Sequence, residues 1–311
     1  MADVLGPDYE AVEIPLGTDD EGEVVATLVS RRATPARRRA VLYVHGFVDY
    51  FFQDHLAEFY LGLGFDFYAL DLRKYGRSLR GHQTPNFVRD LAEYFPEIDE
   101  AVRIVRAEHD VLLLNGHSTG GLIASLWAHR SAGKGLVQGL FLNSPFFELP
   151  EPLLKRTAAG ALATALRRAR PLAELPAGVS PAYAQSLHHR FGGEWDFDLA
   201  WKPVEGFPVR TAWLAAICQG QRRVRAGLAI DVPILVMLSA RSVKPGKDTY
   251  VGGADAVLDV RDIARRSTGL GPHLTLVRVD GGLHDLVLSP PPVREAVFAE
   301  LTRWIGAYLP S

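Results

Sequence analysis

The sequence predicts an α/β protein: a mostly parallel central sheet, helices on both faces, and one helical cap insertion. Three observations predict it. Short apolar runs alternate with amphipathic, helix-length segments through residues 1–145. The alternation stops after Pro145 and resumes near residue 228. The stretch between is rich in Ala, Arg and Pro and shows no clear strand pattern. Strands separated by helices make βαβ units, and such units force neighbouring strands to run parallel with helices covering them.

Each element follows from its own pattern. Residues 23–31 (EVVATLVSR) read as a strand, and 40–45 (AVLYVH) as a short buried strand ending in His-Gly. Residues 54–63 read as a helix and 65–70 as the next strand. Residues 86–108 are expected to be helical, because Ile98, Ala101, Val102 and Val105 recur at 3.6-residue spacing. Then come a strand at 111–115 (VLLLN), a helix at 119–131 and a strand at 136–143. Within the insertion, 153–170 reads as a helix, after which Pro171, Pro176 and Pro181 interrupt the pattern. The chain closes with a strand at 234–239, a short helix at 261–266, a strand at 274–279 and a helix at 293–308. The expected organisation is one core made of 1–145 and 228–311, with 146–227 as a helical cap over the sheet edge.

Composition narrows the partners. The formal charge of −2 gives no global reason to expect nucleic acid or an anionic membrane. Cys218 is the single cysteine, so no internal disulfide is possible and the fold does not depend on an oxidising compartment. Residues 1–15 lack the pattern of a signal peptide, and no apolar run approaches the ~18 residues that span a bilayer. A cytoplasmic protein without stable membrane insertion is expected. No Cys/His cluster has zinc spacing. The pair His188-His189 comes nearest, but chain neighbours are expected to point apart, so neither metal nor cofactor is expected. Arg31, Arg32, Arg37, Arg38 and Arg39 read as a solvated turn rather than an anion site, and Arg167, Arg168 and Arg170 as a solvated helix face. The oligomeric state is left open.

The sharpest motif is Gly116-His117-Ser118-Thr119-Gly120, a match to G-x-S-x-G between an expected strand and an expected helix. A tight strand-to-helix turn strains the serine backbone and lifts its hydroxyl clear of the sheet. Small flanking residues are needed because larger ones would strike neighbouring strands. Ser118 is therefore the candidate nucleophile. The amides at the start of the following helix favour the negative charge that develops in acyl transfer.

A serine needs a base. Of ten histidines, His284 alone follows the last strand in a glycine loop, Gly281-Gly282-Leu283-His284-Asp285, just before the C-terminal helix. A third group must orient that imidazole. Chain order places it after the strand at 234–239, where Asp248, Asp255, Asp259 and Asp262 are candidates. Asp255 fits best, because a flexible Gly252-Gly253 approach precedes it and apolar residues follow. Asp259 and Asp262 look like helix-start residues and Asp248 like an exposed turn. The amides of Thr119 and Phe47 are the expected oxyanion donors, the latter from the loop His45-Gly46-Phe47-Val48.

Taken together, HGF at 45–47, DLRKYGRS at 71–78, GHSTGG at 116–121 and GGLHD at 281–285 resemble the α/β-hydrolase superfamily. The likeness is strongest to the serine-aminopeptidase-like hydrolases that include monoacylglycerol lipases and bacterial lysophospholipases. The resemblance implies the α/β-hydrolase fold, a helical cap after the sixth strand and a serine hydrolase. DLRKYGRS is similar to D-x-R-G-x-G-x-S, a stretch in which Asp71 and Arg73 are expected to pair and Gly76 to turn. The acid segment SARSVKPGKDTYVGGAD is longer than the family's short GxxD, and the cap carries no family signature. The expected substrate is a carboxylic ester, either a small acyl ester or one like monoacylglycerol or lysophospholipid. Leu153, Leu154, Phe191, Trp195, Trp201 and Trp213 would suit an acyl chain or simply pack the cap. A peptidase, thioesterase, lactonase or carbon–carbon hydrolase would use the same triad. An aminopeptidase would need acids to grip the substrate amine, for which Glu148, Glu194 and Asp196 are candidates. A receptor or scaffold usually shows a broken triad.

Overall fold

The computed structural model describes residues 2–35, 37–175, 180–244 and 252–310. The strands are β1 (Ala2–Asp3), β2 (Gly6–Asp19), β3 (Gly22–Arg31), β4 (Arg39–Val44), β5 (Phe65–Asp71), β6 (Val111–His117), β7 (Gly139–Asn143), β8 (Ile234–Ser239) and β9 (Leu274–Val279). The helices are α1 (Asp54–Gly62), α2 (Phe95–Arg106), α3 (Thr119–Arg130), α4 (Leu153–Leu166), α5 (Pro181–Leu187), α6 (Thr211–Ala226), α7 (Val260–Ser267) and α8 (Pro291–Tyr308).

All the strands join one sheet in the order β1-β2-β3-β5-β4-β6-β7-β8-β9. From β5 to β9 every neighbouring pair is parallel, while β1, β2 and β3 add an antiparallel edge. Successive side chains of a strand point to opposite faces. On β4, Ala40, Leu42 and Val44 join one apolar cluster, with α2, α3, α6 and α7. Val41 and Tyr43 join the other, with α1 and α8. Both faces are therefore covered, and this is why the central strands read as continuous apolar runs: every residue of β5 and β6 is buried.

Some elements differ from expectation. The strand β2 carries no sequence signal because it is an edge hairpin with only Tyr9 and Ile14 buried. The helix expected over 86–108 begins at Phe95. Before it, Asp90 and Glu93 form a capping box on a 3-10 turn at Leu91–Tyr94, which absorbs the first part of the helical periodicity. The strand expected at 136–143 is only Gly139–Asn143. Asp71 and Arg73 do not pair with each other. Asp71 bonds Arg77 Nη1 at 2.9 Å, and Arg73 Nε bonds Glu97 at 2.7 Å. The turn at Gly76 (φ +42°) folds Arg77 back onto Asp71 so closely that a Cβ at Gly76 would lie 2.6 Å from Asp71 Oδ2. In the arginine cluster, Arg31 pairs with Asp54, Arg32 with Glu108 and Arg38 with Asp110.

Between β7 and β8 the chain runs through α4, α5 and α6. The helix expected over 153–170 ends at Leu166, and α6 emerges as a long helix the sequence did not mark. Pro176 lies outside the described residues. Trp213, Ala216 and Ile217 of α6 enter the same cluster as α3. Among the described residues no helix is long and apolar enough to cross a membrane.

Candidate active site

Ser118 sits in the turn from β6 to α3 with φ 51° and ψ −116°, a conformation that a non-glycine residue holds only under constraint. The constraints are visible. Ser118 N donates to Asn143 O at 3.0 Å, and Ser118 O accepts from Leu122 N at 3.2 Å and Phe146 N at 2.9 Å. A Cβ on Gly120 would lie 2.2 Å from His45 O, and one on Gly116 would lie 2.8 Å from Gly120 O. The motif's glycines are thus dictated by contact with β4 and with the turn itself.

His284 follows β9 in a loop that starts at Gly281 (φ +74°). Its Nε2 lies 3.0 Å from Ser118 Oγ and its Nδ1 lies 2.9 Å from Asp255 Oδ2. A carboxylate only accepts, so Nδ1 carries the proton and Nε2 is left to accept from the serine hydroxyl. The other oxygen of Asp255 accepts from the amides of Val257 at 2.8 Å and Leu258 at 2.7 Å. Asp255 is fully buried, and its backbone is pinned to Arg241 and Val243 beyond β8. The structure therefore joins Ser118, His284 and Asp255 in one hydrogen-bonded chain. The other acids go elsewhere. Asp259 caps α7 by accepting from Arg261 N at 2.9 Å. Asp262 bonds Arg156 at 3.0 Å. Asp248 lies outside the described residues.

The loop after β4 comes close to the serine: a Cβ on Gly46 would lie 3.2 Å from Ser118 Cβ. Phe47 follows, its ring centroid 4.1 Å from that of Trp213 on α6. Thr119 opens α3, where an amide has no partner inside the helix. Val48 has φ 49°, a region that costs a non-glycine residue of order 1–3 kcal/mol. The packing around this loop must hold it there.

Several site neighbours were not marked by sequence. Asp49 is buried, accepts from Gly46 N at 3.2 Å and meets Lys202 Nζ at 2.5 Å. Burial alone would raise its carboxyl, but Lys202, His117 and His45 more than offset this and hold it below the usual carboxylate range. Asp285, next to His284, accepts from Asn143 Nδ2 at 2.7 Å and Gln53 Nε2 at 3.3 Å. Its amide donates to the Tyr183 hydroxyl at 2.8 Å, and the Tyr183 ring stands edge-on to His284. His117 is buried, and burial pushes its imidazole below the usual range. Asp285 had a signal, being part of GGLHD. Tyr183 and Lys202 had none, since nothing in their surroundings marks them before the chain folds.

The adjacent His188 and His189 do not point apart. A 3-10 turn at His189–Phe191 stacks their rings 4.6 Å apart, and Asp196 Oδ1 lies 3.2 Å from His189 Nδ1. His188 Nδ1 accepts from Arg190 N at 3.1 Å and Nε2 donates to Phe197 O at 3.0 Å. With both its nitrogens engaged, His188 is a poor ligand, and the trio does not fit a metal.

Two comparisons bear on the site. Residues 35–290 match the family model described as serine aminopeptidase, S33. No curated protein sequence matches. Among solved structures, the chain is similar to a soluble variant of monoglyceride lipase from Saccharomyces cerevisiae in complex with a substrate analogue, with TM-score 0.70 and 17% identity over 96% of this chain and 97% of that one. It is also similar to a monoacylglycerol lipase from Paleococcus ferrophilus, with TM-score 0.65 and 18% identity over 96% and 99%. A thermostable carboxyl esterase from Bacillus coagulans in complex with glycerol gives TM-score 0.66 and 13% identity over 97% and 99%.

Proposed function

Since this chain belongs to the serine aminopeptidase (S33) family and has the α/β-hydrolase fold, we propose that it is a serine hydrolase cleaving carboxylic esters through an acyl-enzyme. The observation that carries this reading is the chain of bonds from Ser118 Oγ through His284 to Asp255, at 3.0 and 2.9 Å. Ser118 Oγ attacks the ester carbonyl carbon as its proton passes to His284 Nε2. Asp255 stabilises the imidazolium. The amides of Phe47 and Thr119 receive the developing oxyanion. Collapse breaks the bond to the leaving oxygen, and His284 returns the proton to the departing alcohol. Water, deprotonated by His284, then attacks the acyl carbon; the bond to Ser118 Oγ breaks, His284 returns the proton to Oγ, and the acid leaves.

An ester is favoured over a peptide with a free amine because the acids that would grip that amine are paired with other side chains. Arg266 Nε and Nη2 donate to Glu148 at 2.9 and 2.6 Å. Glu194 pairs with Arg294 at 2.9 Å. Asp196 is exposed beside His189. The names of the similar monoglyceride lipases and carboxyl esterase point the same way. We read residues 146–227 as a cap over the site, with Tyr183 and Lys202 reaching from it to the catalytic loops. The test is an activity panel of p-nitrophenyl and monoacylglycerol esters of graded length, with aminoacyl-amide controls. Turnover of esters is expected, and turnover of the amides alone would overturn the reading.

A further inference from the structure

We propose that Lys202, from the segment between α5 and α6, is a positioning residue that holds the oxyanion loop in its working shape through Asp49. The inference rests on the ester-hydrolase reading and adds a residue to it.

The link runs through few atoms. Lys202 Nζ lies 2.5 Å from Asp49 Oδ1, and Asp49 Oδ2 accepts from Gly46 N at 3.2 Å. Gly46 shares a peptide bond with Phe47, whose amide is assigned to the oxyanion. Asp49 is 2% exposed, and the Lys202 side chain is 12% exposed. A carboxylate so buried needs a partner, and among the described residues Lys202 is its ion-pair partner. The backbone at Val48, between Phe47 and Asp49, is in the left-handed region and does not hold that shape unaided.

The lysine is itself aimed by its surroundings. Residues 198–202 make a tight turn, in which Lys202 N donates to Asp198 O at 2.8 Å and Ala200 N to Asp198 Oδ1 at 2.7 Å. Asp198 N donates to the Tyr50 hydroxyl at 2.7 Å. Trp201 stands edge-on to Tyr50, and Phe197 packs on Phe52. Lys202 Nζ lies over the rings of Phe52 and Phe197, at 5.4 and 5.6 Å. The segment 197–202 thus grips residues 49–52 with three side chains and the Asp198 amide, and the ion pair connects it through Asp49 to the Gly46 amide.

Removing the ammonium leaves Asp49 buried without its cation, so the Gly46–Phe47 peptide relaxes. A misplacement of about 1 Å at a catalytic group costs roughly 100-fold in rate. Binding of the ground-state ester is largely unaffected, since the oxyanion forms only in the transition state.

The experiment compares kcat and KM for a short p-nitrophenyl ester in wild type, Lys202→Met, Lys202→Arg, Asp49→Asn and the double variant Asp49→Asn/Lys202→Met. Lys202→Met is expected to lower kcat roughly 10- to 100-fold with KM within about threefold. Lys202→Arg should recover most of the loss. Adding Lys202→Met to Asp49→Asn should change kcat less than about threefold, because both act through one link. The acid-side fall in activity of Lys202→Met should move to higher pH. The His117 and His45 rings and the Tyr43, Tyr75 and Tyr183 hydroxyls still face Asp49, and burial raises its carboxyl. Additive losses, or a raised KM with unchanged kcat, would overturn the inference, the latter by making Lys202 a substrate contact. Should Lys202→Met not fold, Asp49→Asn, which keeps the side chain's shape, must show the same loss confined to kcat, and an unchanged kcat there overturns it equally. A wild type that neither turns over esters nor is labelled at Ser118 by a fluorophosphonate would instead fail the reading beneath it.

Discussion

The amide of Asp285 donates to the hydroxyl of Tyr183 at 2.8 Å, so helix α5 is tied to the residue that follows His284. The Tyr183 ring is buried and edge-on to the imidazole. The candidate base is therefore held by Asp255 on one side and braced by α5 on the other. Tyr183→Phe keeps the ring and leaves a buried amide unpaired, which costs about 1–3 kcal/mol. We expect a lower unfolding midpoint in urea and a kcat reduced roughly tenfold or less, since Asp255 still orients His284. A kcat loss as large as that of Asp255→Asn would show that Tyr183 has a direct part in the chemistry.

A fluorophosphonate is expected to label Ser118 covalently, and Ser118→Ala to abolish labelling and turnover while the circular dichroism spectrum stays native. The strained turn and the 3.0 Å bond to His284 motivate this. Peptide mapping that found the label on another serine would remove Ser118 as nucleophile.

Asp255→Asn should lower kcat by about 10³–10⁴, because the imidazole loses both its correct tautomer and the stabilisation of its charged form. Asp259→Asn should leave kcat nearly unchanged, because Asp259 only caps α7. If Asp255→Asn were near wild type and Asp248→Asn inactive, the carboxylate assignment would be wrong.

The acyl group is expected to bind beneath the insertion. Each methylene removed from water contributes roughly 0.8 kcal/mol, about fourfold in kcat/KM, until the pocket is full. A series of acyl esters should therefore rise over several carbons and then level off or fall. A series that falls from the shortest ester onward would favour a small-ester or lactone substrate.

Glu148→Gln tests the fold away from the chemistry. Glu148 is buried and takes two bonds from Arg266, with Arg156 and Arg225 each 3.8 Å away. Removing its charge leaves the guanidinium groups of α4, α6 and α7 without their shared partner. A loss of about 3 kcal/mol in urea unfolding is expected, the low end for a broken buried pair because Arg266 keeps some solvent contact. No loss would mean that the arginines are satisfied by water.

Local pattern alone determined much of this protein. The buried strands β4, β5, β6 and β8 were legible because a strand covered on both faces is mostly apolar. Ser118 and His284 were singled out by the glycines around them, and the structure places His284 Nε2 3.0 Å from Ser118 Oγ. Asp255 stood out among four carboxylates by its neighbours, and its bond to His284 appears only when residues far apart in the chain meet. Tertiary structure alone decided the rest. The strand β2, next to the sheet edge, is mostly exposed and so leaves no apolar signature. Arg73 chose Glu97 over Asp71 because folding brought a fully buried carboxylate to it. Lys202 and Tyr183 met the loops after β4 and β9 only when the segment between β7 and β8 packed against them, since a side chain's partner across such a distance depends on packing rather than on spacing along the chain.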